Sequence, residues 1–166
     1  VCQTNFYENE KLVRTYFCQL IDGLEYLHSN GLAHLDLKLD NLLLGKHYVL
    51  KIIDFDNCLY DEEENKHAGG SRNYRPPEIQ RRDLKDGKAA DIYSAGIILF
   101  AFRFGRLPYE EDSLVSGVDF HQIMLFEPDR FWKALEQFCD LSTVSEEFKD
   151  LFLCMVKKSP EERISI

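Results

Sequence analysis

Long apolar runs are missing from this sequence: the longest, Ala95 to Phe102, falls far short of the ~20 residues a helix needs to cross a bilayer. Basic residues are scarce too. Twenty Lys and Arg stand against 29 Asp and Glu, a net charge of -9. Such a surface repels both nucleic-acid phosphates and anionic membranes, so the expected partners include no nucleic acid and no membrane. A local basic site for phosphate is still compatible with that balance. No CxxC pair occurs among the five scattered cysteines, Cys2, Cys18, Cys58, Cys139 and Cys154. An odd number at this spacing fits neither a zinc site nor a disulfide framework. Reduced, mostly buried thiols of a cytoplasmic or nuclear protein are expected instead. No signal peptide is visible, and the first residue is Val1.

What is present points to a folded domain. Hydrophobic residues make up 45% and aromatics 13% of 166 residues. A chain of that length folds as one domain burying roughly 70% of its unfolded surface. Leu12, Val13, Tyr16, Phe17, Leu20, Leu24 and Leu27 repeat at helical spacing and predict one long amphipathic helix. Asn5 with Glu8 resembles a capping box at its start, and Gly31 supplies a stop. Two short apolar runs, Leu42 to Leu44 and Val49 to Ile53, flank a turn at 45–48 and predict a hairpin. From Cys58 to Pro77 periodicity is lost, a stretch expected to be functional, with the acidic run at 61–64 as a solvated loop face. Asp91 to Phe104 is apolar on nearly every side and predicts a buried central helix ended by Gly105. Further helices are expected around Arg130 to Phe138 and from Ser145 to Val156, with another start at Ser159–Pro160. The order of elements predicts an α-rich α+β unit.

The chemistry concentrates in HLDLKLDN, residues 34–41. A strand buried on one face would waste Asp36, Lys38, Asp40 and Asn41. The hairpin's second strand ends in Asp54-Phe55-Asp56, and a hairpin brings the residues flanking its strands together. Asn41 and Asp54 then offer hard oxygen atoms suited to Mg²⁺, which keeps substrate phosphates among its ligands. Asp36 sits close to that metal but off it, where a base for an incoming hydroxyl belongs. Lys38 adds a point charge for a transferring group, and phosphoryl transfer is the reaction these groups suit.

Residues 34–41 resemble the catalytic loop of eukaryotic protein kinases, and Asp54-Phe55-Asp56 resembles their metal-binding Asp-Phe-Gly triplet. Gly70-Ser71-Arg72-Asn73-Tyr74-Arg75-Pro76-Pro77-Glu78 is similar to the segment that closes their activation loop. Asp91-Ile92-Tyr93-Ser94-Ala95-Gly96 is similar to the start of their central helix. The resemblance implies a serine/threonine kinase that uses ATP and Mg²⁺ on a protein substrate. Asp36 and Lys38 would be catalytic, Lys38, Asn41 and Asp54 would bind the cofactor, and Asn41 and Asp54 would hold the metal. It also implies that Ser71 contacts Asp36 and Lys38, that His34 and Asp91 brace the loop, and that Arg163 pairs with Glu78. Asp91, heading its helix, would be a buried acid satisfied by backbone N–H groups. Asp40 would favour substrates with arginine before the target serine.

The chain departs from the family pattern in three places. It has no glycine-rich loop and no strand lysine, so residues 1–166 would be the mainly helical C-terminal lobe alone, with the N-terminal lobe supplied in cis and the last helix cut off. Such a fragment of a longer gene product would be inactive by itself. Leu35 replaces the arginine that receives an activation-loop phosphate. Asp56 replaces a glycine, at a backbone cost that would restrict the triplet. These departures define the alternative of a pseudokinase or scaffold that binds partners without phosphoryl transfer. An aminoglycoside-phosphotransferase-like enzyme shares the loop but lacks the Pro-Pro-Glu segment and the Asp-Ile-Tyr-Ser-Ala-Gly helix.

Overall fold

Polar caps and apolar stripes account for where the helices start and stop. The computed structural model describes residues 9–61, 70–109 and 119–166. Helix α1 spans Glu10–Ser29, with the Asn9 side chain accepting from the Leu12 N–H. Asn9 therefore supplies the N-cap expected of Asn5, and Asn5 and Glu8 lie outside the described residues. Val13, Tyr16, Phe17, Leu20 and Leu24 form its buried stripe, and Gly31 turns the chain at φ 72°. Helix α3, Gly87–Phe104, is buried from Ala89 to Phe102 and ends at Gly105 in the left-handed region. It starts four residues before the expected Asp91, because the Asp86 side chain caps it through the Ala89 N–H.

Between these helices lie two antiparallel ladders. Strands β2 (Leu42–Leu44) and β3 (Leu50–Ile52) form the expected hairpin, Leu42 opposite Ile52 and Leu44 opposite Leu50. Strands β1 (Leu32–Ala33) and β4 (Leu59–Tyr60) form a second pair, unforeseen because two residues carry no periodicity. Helix α1 supports the hairpin, with Gln19 Oε1 accepting from the Leu50 N–H at 2.7 Å.

After the short helix α2 (Pro77–Gln80) and α3 come α4 (Phe120–Phe126), α5 (Pro128–Leu135) and α6 (Glu146–Met155), the last capped by Ser145. Their apolar faces meet α3 around Phe100, whose ring lies 5.3 Å from Phe152 and 6.2 Å from Phe131. The expected start at Ser159–Pro160 is a single 3-10 turn, Pro160–Glu162. Helices packed beside small antiparallel ladders make this an α+β domain. Among the described cysteines Cys18 is exposed and Cys58, Cys139 and Cys154 are half-buried, all with free thiols. The expectation of mostly buried thiols is corrected: Cys18 lies between the buried Phe17 and Leu20 of α1 but faces outward.

Candidate functional site

The loop after β1 is fixed from below by one acid. Asp91 is fully buried, and its Oδ2 and Oδ1 accept the backbone N–H groups of His34 (2.7 Å) and Leu35 (2.8 Å). The expectation of backbone donors holds, and the donors come from the loop that Asp91 was expected to brace. Asp91 sits a turn inside α3, where the helix's own N–H groups are taken, so the loop supplies them. Leu35 adopts φ 63°, a left-handed angle that a leucine holds only when its surroundings fix it. Those surroundings are the two bonds from Asp91 and an apolar cluster of Ala33, Leu35, Ile79 and Ala90.

This turn presents Asp36 to the segment at 70–78. Gly70, at φ 95°, approaches the loop so closely that a Cβ would stand 2.6 Å from the Leu35 carbonyl oxygen. Ser71 then donates to Asp36 Oδ1 through its backbone N–H (2.8 Å) and its hydroxyl (2.9 Å). On the other oxygen, Oδ2, Lys38 Nζ donates at 2.9 Å. Ser71 thus meets Asp36 as expected, while Lys38 reaches Asp36 rather than Ser71. Burial pushes the Asp36 carboxyl up, but the hydrogen bonds from Lys38 and Ser71 and the Lys38 charge outweigh it and hold the group below the usual carboxylate range. The bond to Asp36 raises Lys38, against some desolvation, with Asp54 and Asp40 adding in the same direction.

His34, fully buried, ties this loop to the other. Its Nε2 donates to the Ile53 carbonyl oxygen at 3.0 Å and its Nδ1 accepts the Asp36 N–H at 3.3 Å, which together require the neutral ring with the proton on Nε2. The hairpin then does what its topology implies: the Ile53 N–H donates to the Asn41 carbonyl oxygen at 3.0 Å, so Asp54 follows directly beside Asn41. Asn41 Nδ2 donates to the Asp36 carbonyl oxygen at 2.9 Å, which fixes the amide's rotation. Its Oδ1 takes no hydrogen bond from a described residue, and neither does the exposed Asp54 carboxylate. An oriented amide oxygen and an open carboxylate fit a hard cation such as Mg²⁺.

The triplet at 54–56 differs from expectation in one respect. The left-handed angle falls at Asp54 (φ 67°), and Asp56 is outside that region, so aspartate in place of glycine stores no strain here. The neighbouring Cys58 thiol is pushed up to about 11 by burial and by Asp91, Asp54 and Asp56, which keeps it protonated and inert. Phe55 is exposed and tilts against His34 at 5.2 Å. Asp40 is exposed.

Sequence reasoning missed His28, whose Nε2 lies 2.9 Å from Asp91 Oδ2. A histidine in the last turn of a helix reads as a partner of the helix dipole, and nothing local reveals an acid 63 residues away. The expected long-range pair is present: Arg163 Nη1 and Nη2 donate to Glu78 Oε1 (2.6 Å) and Oε2 (2.8 Å), both side chains buried.

A family model described as "Protein kinase domain" matches residues 1–166. Calcium/calmodulin-dependent protein kinase kinase cmkC of Emericella nidulans is 36% identical over 167 residues, covering 96% of this chain and 30% of that protein. CBL-interacting protein kinase 26 of Oryza sativa subsp. japonica is 38% identical over 164 residues, covering 95% and 31%. CBL-interacting serine/threonine-protein kinase 9 of Arabidopsis thaliana is 39% identical over 112 residues, covering 64% and 25%. The chain thus spans less than a third of the length of these curated relatives.

Proposed function

The chain belongs to the protein kinase family, and from that premise we propose that residues 1–166 are the C-terminal lobe of a serine/threonine protein kinase domain, moving the γ-phosphoryl group of ATP to a protein hydroxyl. The observation that carries the reading is the grip on Asp36, with Lys38 on one carboxylate oxygen and Ser71 on the other. Asp36 orients the substrate hydroxyl and, ionised at neutral pH, accepts its proton as the oxygen bonds to phosphorus and becomes acidic. Lys38 stays charged and holds the moving phosphoryl group. Ser71 links the base to the segment that docks the substrate, so substrate and base move as one unit.

Asn41 and Asp54 would hold Mg²⁺, and the chemistry supplied there is neutralisation of charge on the ATP phosphates. The ATP site would be completed by an N-terminal lobe in cis, whose glycine-rich loop and strand lysine are not in this sequence. Free thiols in the described residues suit a cytoplasmic or nuclear setting. Join residues 1–166 to such a lobe and measure transfer to a serine peptide against Mg²⁺ concentration. Asp54→Asn and Asn41→Ala are expected to raise the half-maximal Mg²⁺ by at least the roughly 10–100-fold that loss of an outer-shell partner costs. An unchanged Mg²⁺ requirement in both variants overturns the assignment.

A further inference from the structure

We infer that His121 is a pH-sensitive latch, seating the start of α4 on the central helix α3 while neutral and loosening it when protonated. Three rings from three parts of the chain meet there. Tyr93 comes from α3, Tyr109 from the segment after it, and His121 is the second residue of α4. They are 0%, 4% and 9% exposed. The Tyr93 hydroxyl lies between the Tyr109 hydroxyl at 3.1 Å and His121 Nε2 at 3.0 Å. The imidazole also stacks on the Tyr109 ring, with centroids 4.4 Å apart and planes 23° from parallel. Among the described residues, the bond to Tyr93 is the only hydrogen bond from α4 to α3.

A neutral imidazole suits this place and a charged one does not. A cation moved out of water needs an anion or acceptors to replace its hydration. Asp119, which caps α4, favours the proton, but its carboxylate already accepts the Gln122 N–H at 3.0 Å. Tyr109 offers its ring face, which attracts a cation only weakly. Tyr93 offers a hydroxyl that burial keeps protonated. Beyond the Tyr93 ring lie Arg163, itself a cation, and Glu78, already paired with it. On α5, packed against α4, Asp129, Arg130 and Lys133 are exposed, and Arg130 pairs with Glu127. Burial therefore outweighs Asp119 and holds the imidazole below its ordinary range. A histidine held below its unfolded value of about 6.5 contributes fully above that value, and the contribution fades as pH falls through it. Acidification thus weakens the seat of α4.

The inference stands apart from the kinase reading, and its test needs neither ATP nor activity. Measure amide hydrogen exchange in the 166-residue chain at Ile123 and Glu127, whose N–H groups close turns of α4, with Leu20 in α1 and Val156 after α6 as controls. Exchange is corrected for its intrinsic pH dependence. Protection at Ile123 and Glu127 is expected to fall by roughly three- to tenfold from about pH 7.5 to about pH 5.5, while the controls hold. His121→Gln keeps an amide to meet the Tyr93 hydroxyl but has nothing to titrate, and is expected to make protection equal at both pH values. Parent protection that does not change with pH overturns the inference. So does a fall of the same size at all four amides, or an undiminished fall in His121→Gln. Should His121→Gln not fold, the ring C–H signals of His121 in the parent are titrated instead. A midpoint that coincides with the loss of protection supports the latch, and one at or above about 6.5 overturns it.

Discussion

Arg163→Ala removes one half of a pair that spans 85 residues of sequence. The guanidinium donates to both oxygens of Glu78, to the Ala89 carbonyl oxygen at 2.9 Å and to the Lys157 carbonyl oxygen at 2.8 Å, and lies 5.1 Å from the centre of the Tyr93 ring. The side chains of Arg163 and Glu78 are 0% and 4% exposed, so water cannot replace the lost donors. Stranding a buried carboxylate in this way costs roughly 3–5 kcal/mol. At about 2–4 °C per kcal/mol for a chain of this size, melting should fall by roughly 6–20 °C. Arg130→Ala is the control. Its ion pair with Glu127 at 3.0 Å is exposed on both sides, and such pairs contribute about 0–1 kcal/mol. Urea unfolding of parent and both variants, with m unchanged, measures the two costs. Arg163→Lys should lie between, since an ammonium cannot reproduce the fork. If Arg163→Ala and Arg130→Ala destabilise alike, the argument from burial and bidentate geometry is wrong.

The 166-residue chain alone should not phosphorylate a serine peptide, because transfer depends on positioning ATP and the groups for that are incomplete here; turnover that disappears with Asp36→Ala contradicts this. Leu35 packs against Ala33, Ile79 and Ala90 and itself offers no guanidinium to a phosphate on the loop between Cys58 and Tyr74. Phosphatase should therefore leave the activity of the whole gene product unchanged, and a large loss traced to that loop sinks the idea. A carboxyl held below its usual range, as Asp36 is, stabilises the fold above its unfolded value of about 3.9 and loses that contribution as pH falls through the folded one. The stability difference between parent and Asp36→Asn should be flat near neutral pH and shrink below about pH 4; a difference constant down to pH 2 contradicts the proposed grip on Asp36.

How far the sequence could be read depended on the range of each interaction. Local patterns gave α1, the hairpin and α3, because amphipathic stripes, Asp and Asn caps and Gly105 act within a few residues. The grouping at the candidate site was legible for the same reason: Asp36, Lys38 and Asn41 lie within six positions, and the hairpin dictates that Asp54 falls beside Asn41. The β1–β4 ladder was not legible, since its pairs join residues far apart with no alternation to mark them. Neither was the true start of α3, where Asp86 caps the helix ahead of the apolar run. His28 escaped because its partner is set by how α1 packs on α3, which only the folded chain fixes. The Asp56 argument assumed which residue carries the unusual backbone angle, and that angle belongs to Asp54.

The central claim is that Asp36 acts on the substrate hydroxyl. It is tested most directly in residues 1–166 joined to an N-terminal kinase lobe, by comparing parent with Asp36→Asn in single-turnover transfer of labelled phosphate from ATP to a serine peptide. Asparagine keeps the size and one acceptor oxygen but cannot take a proton. The rate of transfer should fall by roughly 10²–10⁴-fold in a protein that still folds and binds ATP. A folded Asp36→Asn protein that transfers phosphate at the parent rate would contradict the account.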